Sequence, residues 1–102
     1  MMRERRHAIV TGGSSGIGKA LAMKLARTGA DVSIIARRAD VLDAARIEIE
    51  RHRTDAGQRV TALKADVADQ ASVAAAIEQA VLANGAPDLL VTSAGVARPG
   101  LF

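Results

Sequence analysis

The sequence predicts an α/β fold, the N-terminal half of a doubly wound parallel sheet in three α/β/α layers. Three observations predict it: short β-branched runs alternate with helical stretches, the joints between them are brief, and a glycine-rich turn follows the first run. With 102 residues there is room for one small domain. At 49% hydrophobic and 25% charged, the chain carries enough apolar surface to fold rather than stay disordered.

Residues 7–11 (His-Ala-Ile-Val-Thr) form a compact apolar run ending in Gly12-Gly13, as a buried strand does. From Gly16 to about Thr28, Ile17, Leu21 and Leu25 recur every four residues with Ala20 beside them, and the spacing predicts one buried helical face; Lys19, Lys24 and Arg27 lie off it. Gly29 supplies a left-handed stop. Residues 31–36 are the second strand. A second helix is expected over 40–53, with Leu42, Ala45 and Ile49 facing inward and Arg46–Glu50 and Glu48–His52 as i,i+4 partners on the wet side. Residues 59–65 read as a third strand. Asp69 is the expected N-cap of a third helix with an inner stripe of Val73, Ile77, Ala80 and Val81, closed by Asn84-Gly85. Pro87-Asp88 introduces a fourth strand, 89–92, and residues 93–102 read as loop.

Strand–helix alternation implies parallel strands joined by right-handed crossovers. In a doubly wound sheet the first and fourth strands lie side by side near the centre, so the fourth strand is expected to show an apolar edge with open hydrogen-bonding groups. The expectation is that residues 1–102 are the N-terminal dinucleotide-binding half of one domain, that the C-terminal catalytic half is absent, and that the open edge favours a homo-oligomer.

Several function classes are excluded by composition. Zero cysteines remove disulfides, thiol nucleophiles and cysteine-ligated metals, and two histidines are too few for a typical zinc site. No metal site is expected. No apolar run approaches the ~20 residues that span a bilayer, and no signal peptide is visible, so a cytoplasmic protein is expected. The net charge of +3 comes from short arginine clusters without stacking aromatics, which argues against nucleic acid as a partner. Tyrosine and tryptophan are absent and Phe102 is the single aromatic, so no phenolic acid can act here.

The chemistry sits in Thr11-Gly12-Gly13-Ser14-Ser15-Gly16-Ile17-Gly18. Gly12 permits the tight exit from the strand, Gly16 leaves a pyrophosphate unobstructed, and Gly18 lets the helix approach the sheet. The helix N-terminus adds free N–H groups and partial positive charge. Gly13 to Lys19 also spells G-x-x-x-x-G-K, the phosphate loop of nucleotide hydrolases, but Ala20 stands where a magnesium-binding hydroxyl belongs. That reading stays as a distant alternative, and Lys19 is then a solvated helix residue. His7 and His52 are read as a strand start and an exposed helix end.

Thr11-Gly12-x-x-x-Gly16-x-Gly18, together with Ser93-Ala94-Gly95 after the fourth strand, resembles the short-chain dehydrogenase/reductase family. The likeness spans the chain and implies a Rossmann-type fold. Within the family, Thr-Gly-Gly-Ser-Ser-Gly-Ile-Gly-Lys, Ile-Ala-Arg and Ala-Gly-Val-Ala are most similar to 3-ketodihydrosphingosine reductases, which reduce a long-chain 3-keto base with NADPH. The resemblance implies a parent oxidoreductase that transfers a hydride between NADPH and a ketone or alcohol, a 3-keto long-chain base or 3-oxoacyl compound among them. The family's catalytic tyrosine and lysine cannot be placed in this chain, so no catalytic residue is assigned. A non-catalytic dinucleotide sensor is the alternative.

An acid at the end of the second strand would hold the ribose of NAD; here Ala36 is followed by Arg37 and Arg38. Arg37 can fork onto a 2′-phosphate, helped by Ser14 and Ser15, so NADP(H) is favoured over NAD(H). The further basic position sometimes found in the family is Val41 here, and Arg38 is either its substitute or a solvated residue. The resemblance places Asp66 and Val67 beside the adenine, though Asp66 could equally cap a turn. Ser93, Ala94 and Gly95 fall at the ribose and nicotinamide end, with Thr92 and Ser93 in place of both family asparagines. The expected cofactor-binding set is therefore Gly12, Ser14, Ser15, Gly16, Ile17, Gly18, Arg37, Asp66, Val67, Ser93, Ala94 and Gly95.

Overall fold

A computed structural model of the chain describes residues 5–12, 16–66, 68–92 and 95–97. The elements are β1 (His7–Thr11), α1 (Gly16–Arg27), β2 (Asp31–Ala36), α2 (Ala39–Glu50), β3 (Val60–Lys64), α3 (Gln70–Asn84), β4 (Leu89–Thr92) and β5 (Gly95–Ala97). They form one sheet in the order β3-β2-β1-β4-β5. The first four strands are parallel, with His7 level with Asp31, Val32 level with Val60 and Ala8 level with Leu89. The expected doubly wound topology is therefore present, with β1 at the centre.

The sheet is covered on both faces. Val10, Val32, Ile34 and Val60 pack with Ala22, Ala26, Leu42, Ala45 and Ile49 of α1 and α2. On the opposite face Ile9 and Ile35 pack with Ala65 and with Ala76 and Ala80 of α3. Ile9, Ile34, Ile35 and Ile49 are completely buried, each worth about 1.5–3 kcal/mol of transfer free energy.

α2 turns inward the stripe that its spacing predicts, but α1 does not. Ala22 and Ala26 are its buried residues, Leu21 and Leu25 are half-buried, and Ala20 is exposed. Ile17 is 88% exposed and takes no part in the core. Small side chains let the helix axis approach the strands, and the larger ones then flank the contact. α3 behaves alike: Ala76, Ala80 and Asn84 are buried, Ile77 packs against them, and Val73 and Val81 are only half-buried.

α3 starts and stops as expected. Asp69 accepts from the N–H of Ala71 and Ser72, and Gly85 closes the helix at φ +89° with its N–H on the Val81 carbonyl. α2 ends at Glu50 rather than Arg53, because Arg51, His52 and Arg53 donate to carbonyls three residues back and tighten the final turn. The Arg46–Glu50 pair forms at 3.1 Å. Glu48 instead meets Lys19 of α1 at 2.8 Å, and His52 accepts from Arg27 Nε at 3.0 Å. The cross-helix partner wins because α1 and α2 lie side by side, so Lys19 is a tether rather than a solvated residue.

Residues 95–97 also differ from expectation. They form β5, antiparallel to β4, with Thr92 level with Gly95 and Leu90 level with Ala97. The fourth-strand edge expected to be open is thus paired by the chain's own next segment. Residues 93 and 94, Ser and Ala, include neither the glycine nor the asparagine that usually announces two strands pairing in succession.

Candidate functional site

At the C-terminal edge of the sheet the connections diverge. From β1 the chain passes to β2 on one side, while β3 returns by way of α3 to β4 on the other. A crevice at such a switch point is where open α/β sheets bind ligands. Two bonds brace it: Gly12 N–H donates to the Ile35 carbonyl at 2.7 Å, and Thr11 Oγ1 donates to the Val91 carbonyl at 3.3 Å.

Gly12 (φ +75°) and Gly16 (φ +59°) occupy the left-handed region on either side of the turn, a conformation that a side chain opposes by about 1–2 kcal/mol. Among the described residues, a Cβ built at either position meets nothing within 4 Å. Packing against those residues does not require either glycine. Gly16 opens α1, whose 12 residues aim their N-terminal amides toward this space. Ile17 projects an unburied apolar side chain at the same place, and Gly18 is half-buried.

Arg37 and Arg38 follow β2 and are exposed. Arg38 Nη2 holds Asp40 Oδ2 at 3.0 Å, whereas Arg37 makes no ion pair among the described residues. The Asp40 carboxyl lies below its usual range, chiefly through the Val41 N–H, with Arg38 adding to the effect. Asp66 is half-buried beyond β3; its Oδ1 accepts from Ala68 N–H at 3.0 Å and its own N–H donates to Ser72 Oγ. The turn-capping use of Asp66 is thus realised. Gly95 begins β5 opposite Thr92. Ser14, Ser15, Val67, Ser93 and Ala94 lie outside the described residues. The structure gathers Gly12, Gly16, Ile17, Gly18, Arg37 and Asp66 along one edge, the edge where β4 also delivers the chain to Gly95.

Two polar clusters at the opposite edge support this one. His7 is buried, with Nδ1 2.9 Å from the Gly85 carbonyl and Nε2 2.7 Å from Ser33 Oγ. A carbonyl can only accept, so Nδ1 carries a hydrogen. Asn84 Nδ2 donates to Ser33 Oγ and Thr61 Oγ1, joining α3 to β2 and β3. Gln58, also buried, donates to the carbonyls of Ala26 and Ala30 and accepts from Thr54 and Asp55. A serine inside the wholly buried β2 run was the sequence signal for the first cluster; Gln58 gave none.

A family profile described as short chain dehydrogenase matches residues 6–102. The chain belongs to the short-chain dehydrogenase family. Among curated members of that family, 3-ketodihydrosphingosine reductase of Bos taurus is 41% identical over 97 residues, covering 94% of this chain and 29% of its own. Solved structures are also similar. Blue fluorescent protein from a metagenomic library, in complex with NADPH, is 41% identical with a TM-score of 0.73, over 83% of this chain and 34% of its own. L-Sorbose reductase of Gluconobacter frateurii, with NADPH and L-sorbose, is 35% identical with a TM-score of 0.76, over 84% and 32%. The chain therefore spans about a third of the length of the short-chain dehydrogenases it matches.

Proposed function

We propose that this chain is the NADP(H)-binding, N-terminal half of a short-chain oxidoreductase that interconverts a ketone and an alcohol. The observation that carries the reading is the glycine turn at the switch point. Two left-handed glycines border space that no atom of the described residues fills within 4 Å of a Cβ, at the N-terminus of a helix. A diphosphate fits that donor set, because backbone amides and the helix dipole favour an anion and no Cβ blocks its approach. NADPH-bound family members of the same fold support the cofactor class.

The residue roles we propose are those that the family resemblance implies. Gly12, Gly16 and Gly18, with Ser14, Ser15 and Ile17, would surround the diphosphate and its ribose. Arg37 would fork onto the 2′-phosphate, Asp66 and Val67 would border the adenine, and Ser93, Ala94 and Gly95 would flank the nicotinamide ribose. The bound dinucleotide supplies hydride chemistry; this chain supplies binding and orientation. With no tyrosine in the sequence, this chain has no phenolic acid to pass a proton to the carbonyl. The substrate class we propose is a 3-keto long-chain base or 3-oxoacyl compound, on the similarity to the Bos taurus enzyme. Among the described residues no helix is long and apolar enough to cross a membrane. A cytoplasmic, self-associating protein is the placement we propose.

Titration of Arg37→Asp with NADPH and NADH tests the reading. Loss of one charge-assisted fork, about 1.5–3 kcal/mol, should weaken NADPH by roughly ten- to hundredfold while NADH changes little. Equal losses for both cofactors would remove Arg37 from the phosphate site.

A further inference from the structure

We infer that Lys64 is a second specificity-determining cation of this site and acts with Arg37 on the 2′-phosphate of an adenosine nucleotide. The inference rests on the dinucleotide reading above and adds a residue to it. It comes from asking which charges near the crevice are already used. Lys19 is held by Glu48 at 2.8 Å, Arg38 by Asp40 at 3.0 Å, and Arg46 bridges Asp43 and Glu50. Asp66 Oδ1 is taken by the Ala68 amide. The carboxylates near this rim thus have partners, while Arg37 and Lys64 are exposed and make no ion pair among the described residues.

The β2–β3 register brings the two together. Lys64 is level with Ala36, the residue before Arg37, so its backbone lies one strand spacing away, about 4.8 Å. It alternates with Val60 and Ala62 onto the face that α2 covers, and the α2 N-terminus starts directly after Arg38. Two like charges at one rim repel, and a phosphate monoester, with close to two negative charges, relieves that repulsion where a bare hydroxyl does not. The flexible lysine supplies a point charge, while the arginine supplies the directed fork.

The test uses 2′,5′-ADP and 5′-AMP, which differ only in the 2′-phosphate, in chemical-shift titrations of the chain. Lys64→Gln should weaken 2′,5′-ADP by about two- to fivefold, the range for an exposed ion pair, and leave 5′-AMP unchanged. Lys64→Arg should restore the affinity, and added salt should shrink the difference. If Lys64→Gln leaves the ratio of the two affinities intact while Arg37→Gln lowers it, Lys64 has no part and the dinucleotide reading stands. If Lys64→Gln weakens both ligands alike, the effect is not phosphate reading and the inference fails. If the wild-type chain does not prefer 2′,5′-ADP, the NADP(H) reading falls and takes this inference with it.

Discussion

Replacing Gly16 by alanine separates what the backbone needs from what the ligand needs. The φ of +59° places any Cβ in the left-handed region, at a cost of about 1–2 kcal/mol. The described residues add no steric term to it, since the new methyl meets none of their atoms within 4 Å. For a domain of about this size each kcal/mol lowers Tm by about 4–8 °C. Binding should suffer more, because the methyl enters the space assigned to the diphosphate and breaks charge-assisted amide contacts; a loss of tenfold or more in NADP+ affinity is expected. Gly29→Ala is the matched control. It has φ +93°, its Cβ lies 3.9 Å from Thr54 Oγ1, and it sits at the opposite end of α1. Thermal melts should show similar destabilisation for the two variants, and calorimetric titration should show a binding defect for Gly16→Ala alone. A Gly16→Ala protein that binds NADP+ as well as Gly29→Ala does would refute the placement of the diphosphate.

Gln58→Leu keeps the side-chain volume but removes its bonds to the Ala26 and Ala30 carbonyls and the acceptor of the Thr54 and Asp55 amides; it should cost about 2–4 kcal/mol, read as a lower denaturant midpoint with unchanged m. Glu48→Gln tests the tether between α1 and α2. The hydrogen bond from Lys19 is the main cause holding the Glu48 carboxyl below its usual range. A carboxyl depressed by folding stabilises above its unfolded pKa, and the contribution is lost as pH falls through the folded value. The stability gap between wild type and Glu48→Gln should therefore be present at neutral pH and close in strong acid. A gap that persists in acid would mean that Lys19 contributes through packing rather than charge.

The strands and helices were legible because their signals are local. The runs at 7–11, 31–36 and 89–92 need only their own β-branched residues, and the Asp69 cap needs only the amides that follow it. In α3 the stripe holds at Ile77 and Ala80, but in α1 counting large apolar residues favours Ile17 and Leu21 over the buried Ala22 and Ala26. Close helix–sheet contact rewards the small ones instead. β5 was missed because its pairing depends on β4 having a free edge, a property of the assembled sheet. Within the site, Gly12, Gly16 and Arg37 were readable because turn chemistry and charge are written in adjacent residues. The availability of Lys64 was not, since it follows from the β2–β3 register and from which neighbouring charges are already matched.

Gln58 has a reach that its position hides. It lies in the connector before β3, yet it grips the tail of α1 through the Ala26 and Ala30 carbonyls, at the edge of the sheet opposite the glycine turn. A rigid helix anchored at its tail transmits that anchorage to its head. Loss of the Gln58 grip would therefore loosen the tail of the helix whose head borders the glycine turn.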